Sequence, residues 1–348
     1  MKKILGIFRG FPGLGRVVAG VSLLETLRDD YVCDIRVISY LQGKKYLESL
    51  GYTDLPEVSS MDFCSIGLLP TNKVGVYIHS TIREFMPDTI IIDGEPLILQ
   101  SIKISYPDIK VVTLLNPSDV YNPTNDKDAM DYFNALYSLS DLAIVHGLRH
   151  IAKDSRYKNF ISINTIIRNE IMTIKNIPTN NIYYILGGGT VNVDHQFEYS
   201  TLRIGELCQK AAALLPQYTM HIVCACKNTF KELSENYYCN NVKLYADIIS
   251  AQIYYGEACL IITRSGRNTL SELSYLGIPA ISFVSGCKYR KVEQTNNIND
   301  LNIPTIMPAS LEITTKDFAE LCLSMINKKT DCYLQYGNDI AIENILQL

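Results

Sequence analysis

The chain is expected to fold as an α/β protein made of two doubly wound parallel sheets. Three observations predict this. Its 348 residues exceed one domain of about 150 residues. Short, continuously apolar runs recur along it, each followed by a turn and a helical pattern, as parallel strands buried on both faces require. A polar stretch, residues 164–181, containing Pro178-Thr179-Asn180-Asn181, separates the runs into two sets and reads as an interdomain region.

The first set holds strands expected at 4–8, 34–39, 89–92, 110–114 and 142–145. The second holds 182–186, 221–225, 242–245, 260–263 and 280–284. Between strands, 17–27 and 269–276 carry apolar residues at helical spacing, and alternation of this kind implies right-handed crossovers. The expected division is 1–165 for the first domain, 180–330 for the second, and a C-terminal helix within 331–348 that packs back across the hinge. Doubly wound sheets bind ligands outside the C-terminal ends of their strands. Two such halves facing each other would make a cleft.

Composition excludes several classes. Hydrophobic residues at 47% and charged residues at 20% argue for sizeable cores and against disorder. With 32 Lys+Arg against 36 Asp+Glu, a net charge of -4, no nucleic-acid partner is expected. No apolar run reaches about 18 residues, so no transmembrane segment is expected. Met1-Lys2-Lys3 leads into an apolar run broken by Arg9 and a glycine-rich turn, which reads as a first buried strand and not a signal peptide. Ten cysteines are spread along the chain. Cys33, Cys64, Cys208, Cys259 and Cys322 sit in apolar segments, and Cys224 and Cys226 match no zinc spacing. The expectation is reduced, structural thiols in a cytoplasmic protein. No paired histidines or Cys/His set suggests a metal, and no GxSxG elbow suggests a hydrolase nucleophile.

Three glycine-rich segments follow expected strands. Gly10-Phe11-Pro12-Gly13-Leu14-Gly15-Arg16 precedes a helix; such a turn lets a helix N-terminus meet an anion, or is a tight turn with no ligand. Its spacing is not GxGxxG. Leu186-Gly187-Gly188-Gly189-Thr190 opens the second half and reads as a ligand loop or an interdomain turn. The third, Arg264-Ser265-Gly266-Arg267-Asn268-Thr269, gathers hydroxyls, amides and two arginines at a helix start, chemistry suited to a diphosphate. Leu270, Leu273 and Leu276 mark the buried stripe of that helix, which leaves Glu272 on another face. There it would hold ribose hydroxyls or stabilise the first turn against the helix dipole.

The stretch 258–301 resembles the nucleotide-sugar site of GT-B glycosyltransferases, in particular the bacterial UDP-glycosyltransferase group that includes the peptidoglycan N-acetylglucosaminyltransferase, with its family 28-like C-terminal domain. The elements that carry the resemblance are Arg264-Ser265-Gly266, Thr269-Leu270-Ser271-Glu272, Gly277-Ile278-Pro279-Ala280-Ile281 and Glu293-Gln294-Thr295-Asn296-Asn297, in order over about forty residues. The resemblance implies a GT-B fold of two Rossmann-like doubly wound domains facing a cleft. The first would bind the acceptor and the second the nucleotide sugar. It also implies that Ser265, Gly266, Asn268 and Thr269 approach the diphosphate, with Arg264 adding charge. Glu272 would hold the ribose, Gln294 and Asn297 would lie at the donor sugar, and Leu244 or Tyr245 would present backbone to the uracil. Gly188, Gly189 and Thr190 match the loop facing the diphosphate, and Gly15 and Arg16 match the first glycine loop. That loop commonly carries a histidine in the family; here Arg16 and Val17 stand in its place.

Inverting transfer needs a base for the acceptor hydroxyl and donors for the leaving diphosphate. Pro87-Asp88-Thr89-Ile90-Ile91-Ile92-Asp93-Gly94-Glu95-Pro96 is similar to a pattern in some bacterial and archaeal members, and makes Asp93 and Glu95 the candidate carboxylates. Glu95 reads as the base or as the cap of the helix that follows. His146, just after the strand expected at 142–145, reads as a surface-loop histidine or as one facing the cleft against the acceptor. The expected function is transfer of a hexose or N-acetylhexosamine from a UDP-sugar to an unidentified acceptor, a small molecule or lipid-linked, with inversion and without a metal or other cofactor. Two alternatives stay open: a UDP-sugar hydrolase or epimerase on the same fold, and a non-catalytic nucleotide-sugar-binding partner subunit. Phe63, Ile66, Leu68 and Leu69 form either a lipid-facing loop or covered core.

Overall fold

Ile, Val and Leu fill the strand interiors so densely that both sheets must be covered on both faces, and the computed structural model shows this. It describes residues 1–10, 14–57, 72–122, 126–185, 195–224, 227–235, 239–247, 249–285, 288–326, 328 and 334–348. The chain divides into two units, Met1–Arg168 with Tyr336–Leu348, and Asn169–Gln335.

In the first unit β1 (Lys3–Phe8), α1 (Gly15–Asp29), β2 (Asp34–Ile38), α2 (Gln42–Ser49), α3 (Asn72–Phe85), β3 (Thr89–Asp93), α4 (Pro96–Ser105), β4 (Lys110–Leu115), α5 (Pro117–Val120), α6 (Lys127–Tyr137), β5 (Leu142–Gly147) and β6 (Phe160–Asn164) follow in order. The parallel sheet is ordered β2-β1-β3-β4-β5-β6. After β1 the chain goes to one side for β2 and to the other for β3, so the topological switch point lies between β1 and β3. Val17, Leu23, Leu24 and Leu27 of α1 share a core with Ala341, Ile342 and Ile345 of the C-terminal helix Asn338–Leu346. Asn338 ties that helix down: its amide group accepts from the Ile167 N–H (2.9 Å) and donates to the Ile167 carbonyl (2.8 Å) and to Ser22 Oγ (3.4 Å).

The second unit runs α7 (Asn169–Met172), β7 (Asn181–Ile185), α8 (His195–Ala212), β8 (Thr219–Val223), α9 (Lys227–Glu235), β9 (Val242–Tyr245), α10 (Ala251–Glu257), β10 (Ala258–Arg264), α11 (Arg267–Leu276), β11 (Ala280–Phe283), α12 (Lys288–Leu301), β12 (Ile306–Ala309) and α13 (Thr315–Ile326). Its sheet is ordered β12-β11-β10-β7-β8-β9, and all its pairs are parallel. Here the switch point lies between β7 and β10.

The ten expected strands all occur, with ends moved by a residue or two. Two further strands were not expected, β6 and β12, and both lie at sheet edges. Edge strands are only half covered. β6 reads Phe-Ile-Ser-Ile-Asn and β12 contains Pro308, a residue an edge tolerates because one side of the strand needs no donor. Missing β6 misplaced His146. It is a fully buried strand residue paired with Ile163, not a surface-loop histidine, and its Nδ1 accepts from the Ile166 N–H at 3.3 Å. Among the described residues no helix is long and apolar enough to cross a membrane.

Candidate functional site

At the first switch point, the ends of β1 and β3 bring charged groups together. The Arg9 N–H donates to the Asp93 carbonyl (2.9 Å), which locks the two strand ends in register. The next residues of each strand then project side chains at one another. Arg9 donates to both oxygens of Glu95, Nε to Oε1 at 3.2 Å and Nη2 to Oε2 at 3.4 Å. Tyr40, two residues beyond β2, donates its phenol to Oε1 of the same carboxylate. Arg16, from the first turn of α1, donates Nη1 to Asp93 and Nη2 to both oxygens of Asp119 (3.1 and 3.0 Å). Gly94 sits between the two carboxylates at φ +88°. A Cβ there would meet Arg16 Cδ at 2.8 Å and Arg9 Cβ at 2.9 Å, so both the backbone and the passage of the two arginines require glycine.

Electrostatics follow from this packing. Glu95 is 3% exposed; burial pushes its carboxyl above the usual range, against the opposing charges of Arg9 and Arg16. Burial alone would lower Arg16, but Asp119 and Asp93 outweigh it and hold the guanidinium well above its ordinary value. Tyr137 is driven up, first by burial and then by the charge of Asp119. Asp93 is buried, while Arg16 and Asp119 keep 27% and 19% of their side chains exposed. Glu95 occupies the N-cap position of α4 but makes no capping hydrogen bond. Its carboxylate turns away to Arg9 and Tyr40, so its side chain does not cap α4.

The second switch point gathers hydroxyls, side-chain amides and an open helix N-terminus beside Arg264 and Arg267. β10 ends at Arg264, and Gly266 is the N-cap of α11, with no side chain to cap the first-turn amides. Gly266 has an ordinary φ of -75°, and a Cβ built on it would meet nothing within 4 Å. Ser265 is buried; its hydroxyl pairs with Ser282 Oγ (2.7 Å) and donates to the Phe283 carbonyl (3.2 Å). Asn297 donates to the Ser265 carbonyl (3.0 Å), and Gln294 Oε1 accepts from the Ser285 N–H (2.6 Å). Gln294 and Asn297 are thus the pins by which α12 holds the loops after β10 and β11. Asn268 accepts from Arg267 Nε (3.2 Å), and Thr269 is half-buried in the first turn. Arg264 lies near Tyr184, whose phenol burial raises against the arginine's opposing charge. Glu272 is buried and not on a solvated face, because Tyr255 of α10 covers that side of α11 and donates to it at 2.9 Å.

Tyr245 ends β9. Its carbonyl accepts from the Cys224 N–H (2.9 Å) and its hydroxyl pairs with His221 Nδ1 (2.8 Å). His221 stacks on Tyr183 (4.2 Å between ring centroids) and meets Asn181 through Nε2 (3.1 Å). Burial and then Lys243 lower its pKa to about 4. Gly15 begins α1. Gly188, Gly189 and Thr190, and the segment holding Phe63, Ile66, Leu68 and Leu69, lie outside the described residues. Sequence reasoning overlooked Arg9, Tyr40, Asp119, Tyr255 and Ser282. For Tyr40 and Asp119 a signal existed, since each closely follows a strand on the C-terminal side of the sheet. Asn116-Pro117-Ser118-Asp119 also reads as a helix start, and Asn116 and Asp119 do form a capping box. Among the described residues no group of three or more His, Cys, Asp or Glu is placed to hold a metal ion.

Residues 200–303, which include everything from Tyr245 to Asn297, match the glycosyltransferase family 28 C-terminal domain. That match lies within the second unit. Solved structures agree over the whole chain at the level of fold. MurG of Acinetobacter baumannii is 13% identical, with a TM-score of 0.63, and 100% of each chain is covered. The UDP-GlcNAc 2-epimerase of Methanocaldococcus jannaschii, in complex with UDP-GlcNAc and UDP, is 14% identical at a TM-score of 0.61, covering 99% of this chain and 98% of that one. UGT2 of Phytolacca americana, with UDP-2-fluoro-glucose and pterostilbene, is 11% identical at 0.62, covering 100% and 94%. No curated protein sequence matches significantly. The family 28 domain and these likenesses establish the two-domain α/β GT-B fold and mark the chain as an enzyme of the glycosyltransferase type.

Proposed function

We propose that this protein transfers a hexose or N-acetylhexosamine from a UDP-sugar to an acceptor hydroxyl, with inversion. The observation that carries the reading is Gly266. It stands at the open N-terminus of α11, at the switch point and inside the family 28 match. Neither its backbone angles nor its surroundings require glycine, so close approach of a ligand to the backbone accounts for it. The diphosphate then lies against the amides of Gly266, Asn268 and Thr269 at the positive end of the helix, with Arg264 adding charge. Gly188, Gly189 and Thr190 are assigned to the same donor. Glu272 takes the ribose, and the Tyr245 end of β9 the uracil. Ser265, Gln294 and Asn297 shape the sugar side through the loops they pin.

In the reaction the acceptor oxygen bonds to the anomeric carbon. The bond from that carbon to the diphosphate oxygen breaks, and its electron pair leaves with UDP. The acceptor proton passes to a carboxylate, for which Glu95 is proposed, with Asp93 as the neighbouring acid held by Arg16. The reading needs no metal, because amides and Arg264 meet the developing charge. The acceptor is a small molecule or a lipid-linked one. Titrating the protein with UDP, UDP-glucose and UDP-N-acetylglucosamine by calorimetry tests the donor; no binding of any of them overturns the reading. A second reading has a specific basis. UDP-GlcNAc 2-epimerases are among the like structures, and paired buried carboxylates suit proton abstraction from a sugar carbon. Release of free sugar, or formation of the 2-epimer without any acceptor, would move the assignment there.

A further inference from the structure

We infer that Tyr40 is a positioning residue that makes the two oxygens of Glu95 unequal, leaving Oε2 as the oxygen that takes the proton. The inference rests on the reading of Glu95 as the base. Oε1 accepts two hydrogen bonds, from the Tyr40 phenol and from Arg9 Nε at 3.2 Å; Oε2 has one long contact, from Arg9 Nη2 at 3.4 Å. A carboxylate oxygen already holding a phenol and a guanidinium N–H has little lone-pair density left for an incoming proton. Its partner oxygen keeps that capacity.

The placement comes from the fold. Tyr40 lies just beyond β2, β2 flanks β1, and β1 flanks β3, so three adjacent strand ends deliver Tyr40, Arg9 and Glu95 to one point. Tyr40 is itself buried, and Ser39 beside it donates to the Phe8 carbonyl at 2.8 Å, fixing the exit of β2 against β1. The charged groups around Glu95 are Arg9 from the end of β1 and Arg16 from α1, with Arg16 in turn shared between Asp93 at the end of β3 and Asp119 of α5. Arg16 is thus largely spent on other carboxylates. Arg9 and Tyr40 are left to set the state of Glu95.

A donor to the ionised form lowers a carboxyl pKa, so removing the phenol must raise that of Glu95. Replacing Tyr40→Phe is expected to shift the protonation of Glu95 upward by about one pH unit. The shift would be read in the free protein from the carboxylic-acid C=O band by infrared titration, with Glu95→Gln subtracted to isolate the signal. The acid limb of the kcat profile should move up by the same amount, with KM for the donor nearly unchanged. Placing 3,5-difluorotyrosine at position 40, a stronger donor of nearly the same shape, should move both the other way. It also keeps the test available if Tyr40→Phe does not fold. An unmoved Glu95 band in both variants overturns the inference. If the band moves while Glu95→Gln keeps full transfer activity, the hydrogen-bond control of Glu95 stands and the base assignment alone fails.

Discussion

The two switch points share a topology and differ in chemistry. Each lies where a unit's first strand meets the strand across which the order reverses, β1 with β3 and β7 with β10. In the first unit the strand ends carry Arg9, Asp93 and Glu95, joined by Arg16 and Asp119, three carboxylates against two guanidinium groups. In the second they carry hydroxyls, side-chain amides and an open helix N-terminus. The first arrangement already satisfies its cations internally and leaves an excess of carboxylate, which suits handling protons and repels a diphosphate. The second offers backbone N–H groups at an open helix N-terminus, with Glu272 of that helix held by Tyr255, which suits holding one. One architecture thus supplies two kinds of site, and strand-end residues decide which.

Four measurements press on that contrast. The largest effect is expected for Glu95→Gln, which should lower kcat by roughly 10²–10⁴-fold while calorimetric UDP affinity stays unchanged; a loss of affinity instead would mean the two sites are not chemically separate. Next is acid stability. His221 is buried neutral with a pKa of about 4, so between pH 6.5 and 4 the unfolded chain binds a proton that the folded second unit does not. Stability falls with pH across that window, by roughly 3 kcal/mol for this residue. Glu95 acts with the opposite sign. Its raised pKa makes the folded first unit bind the extra proton, so its contribution is full below the ordinary glutamate range and is lost as pH rises through the raised value. Hydrogen exchange resolved by unit should therefore show the second unit gaining acid resistance on His221→Gln, and no such gain in the first.

A smaller effect is expected for Asn338→Ala. It leaves the buried Ile167 amide and carbonyl without their partner and should cost about 2 kcal/mol. Unfolding followed by exchange should place that loss in the first unit alone, with UDP binding retained. Smallest in energy is Gly266→Val. With space for the side chain, Tm should hold while the UDP dissociation constant rises about tenfold, roughly 1.4 kcal/mol. A fall in Tm with unchanged affinity would make Gly266 a packing residue and remove the main support for the donor site.

Sequence alone determined the class of fold, the interior strands and the family 28 stretch. Those depend on local signals: apolar runs of strand length, glycines at strand ends, and a fixed order of residues from Arg264 to Asn297. Edge strands β6 and β12 were not legible, because half-covered strands carry mixed polarity, and His146 was misplaced with β6. Tertiary structure alone decided what the site side chains touch. Glu95 has the position of a cap and the contacts of a buried carboxylate, because Tyr40 and Arg9 arrive from strands 55 and 86 residues away in the chain. Gln294 and Asn297 pin loops, and Glu272 is covered by Tyr255 from the preceding helix. Local pattern specifies which residues end a strand. Sheet order specifies which strand ends are neighbours, and hydrogen-bond partners and desolvation follow from that order.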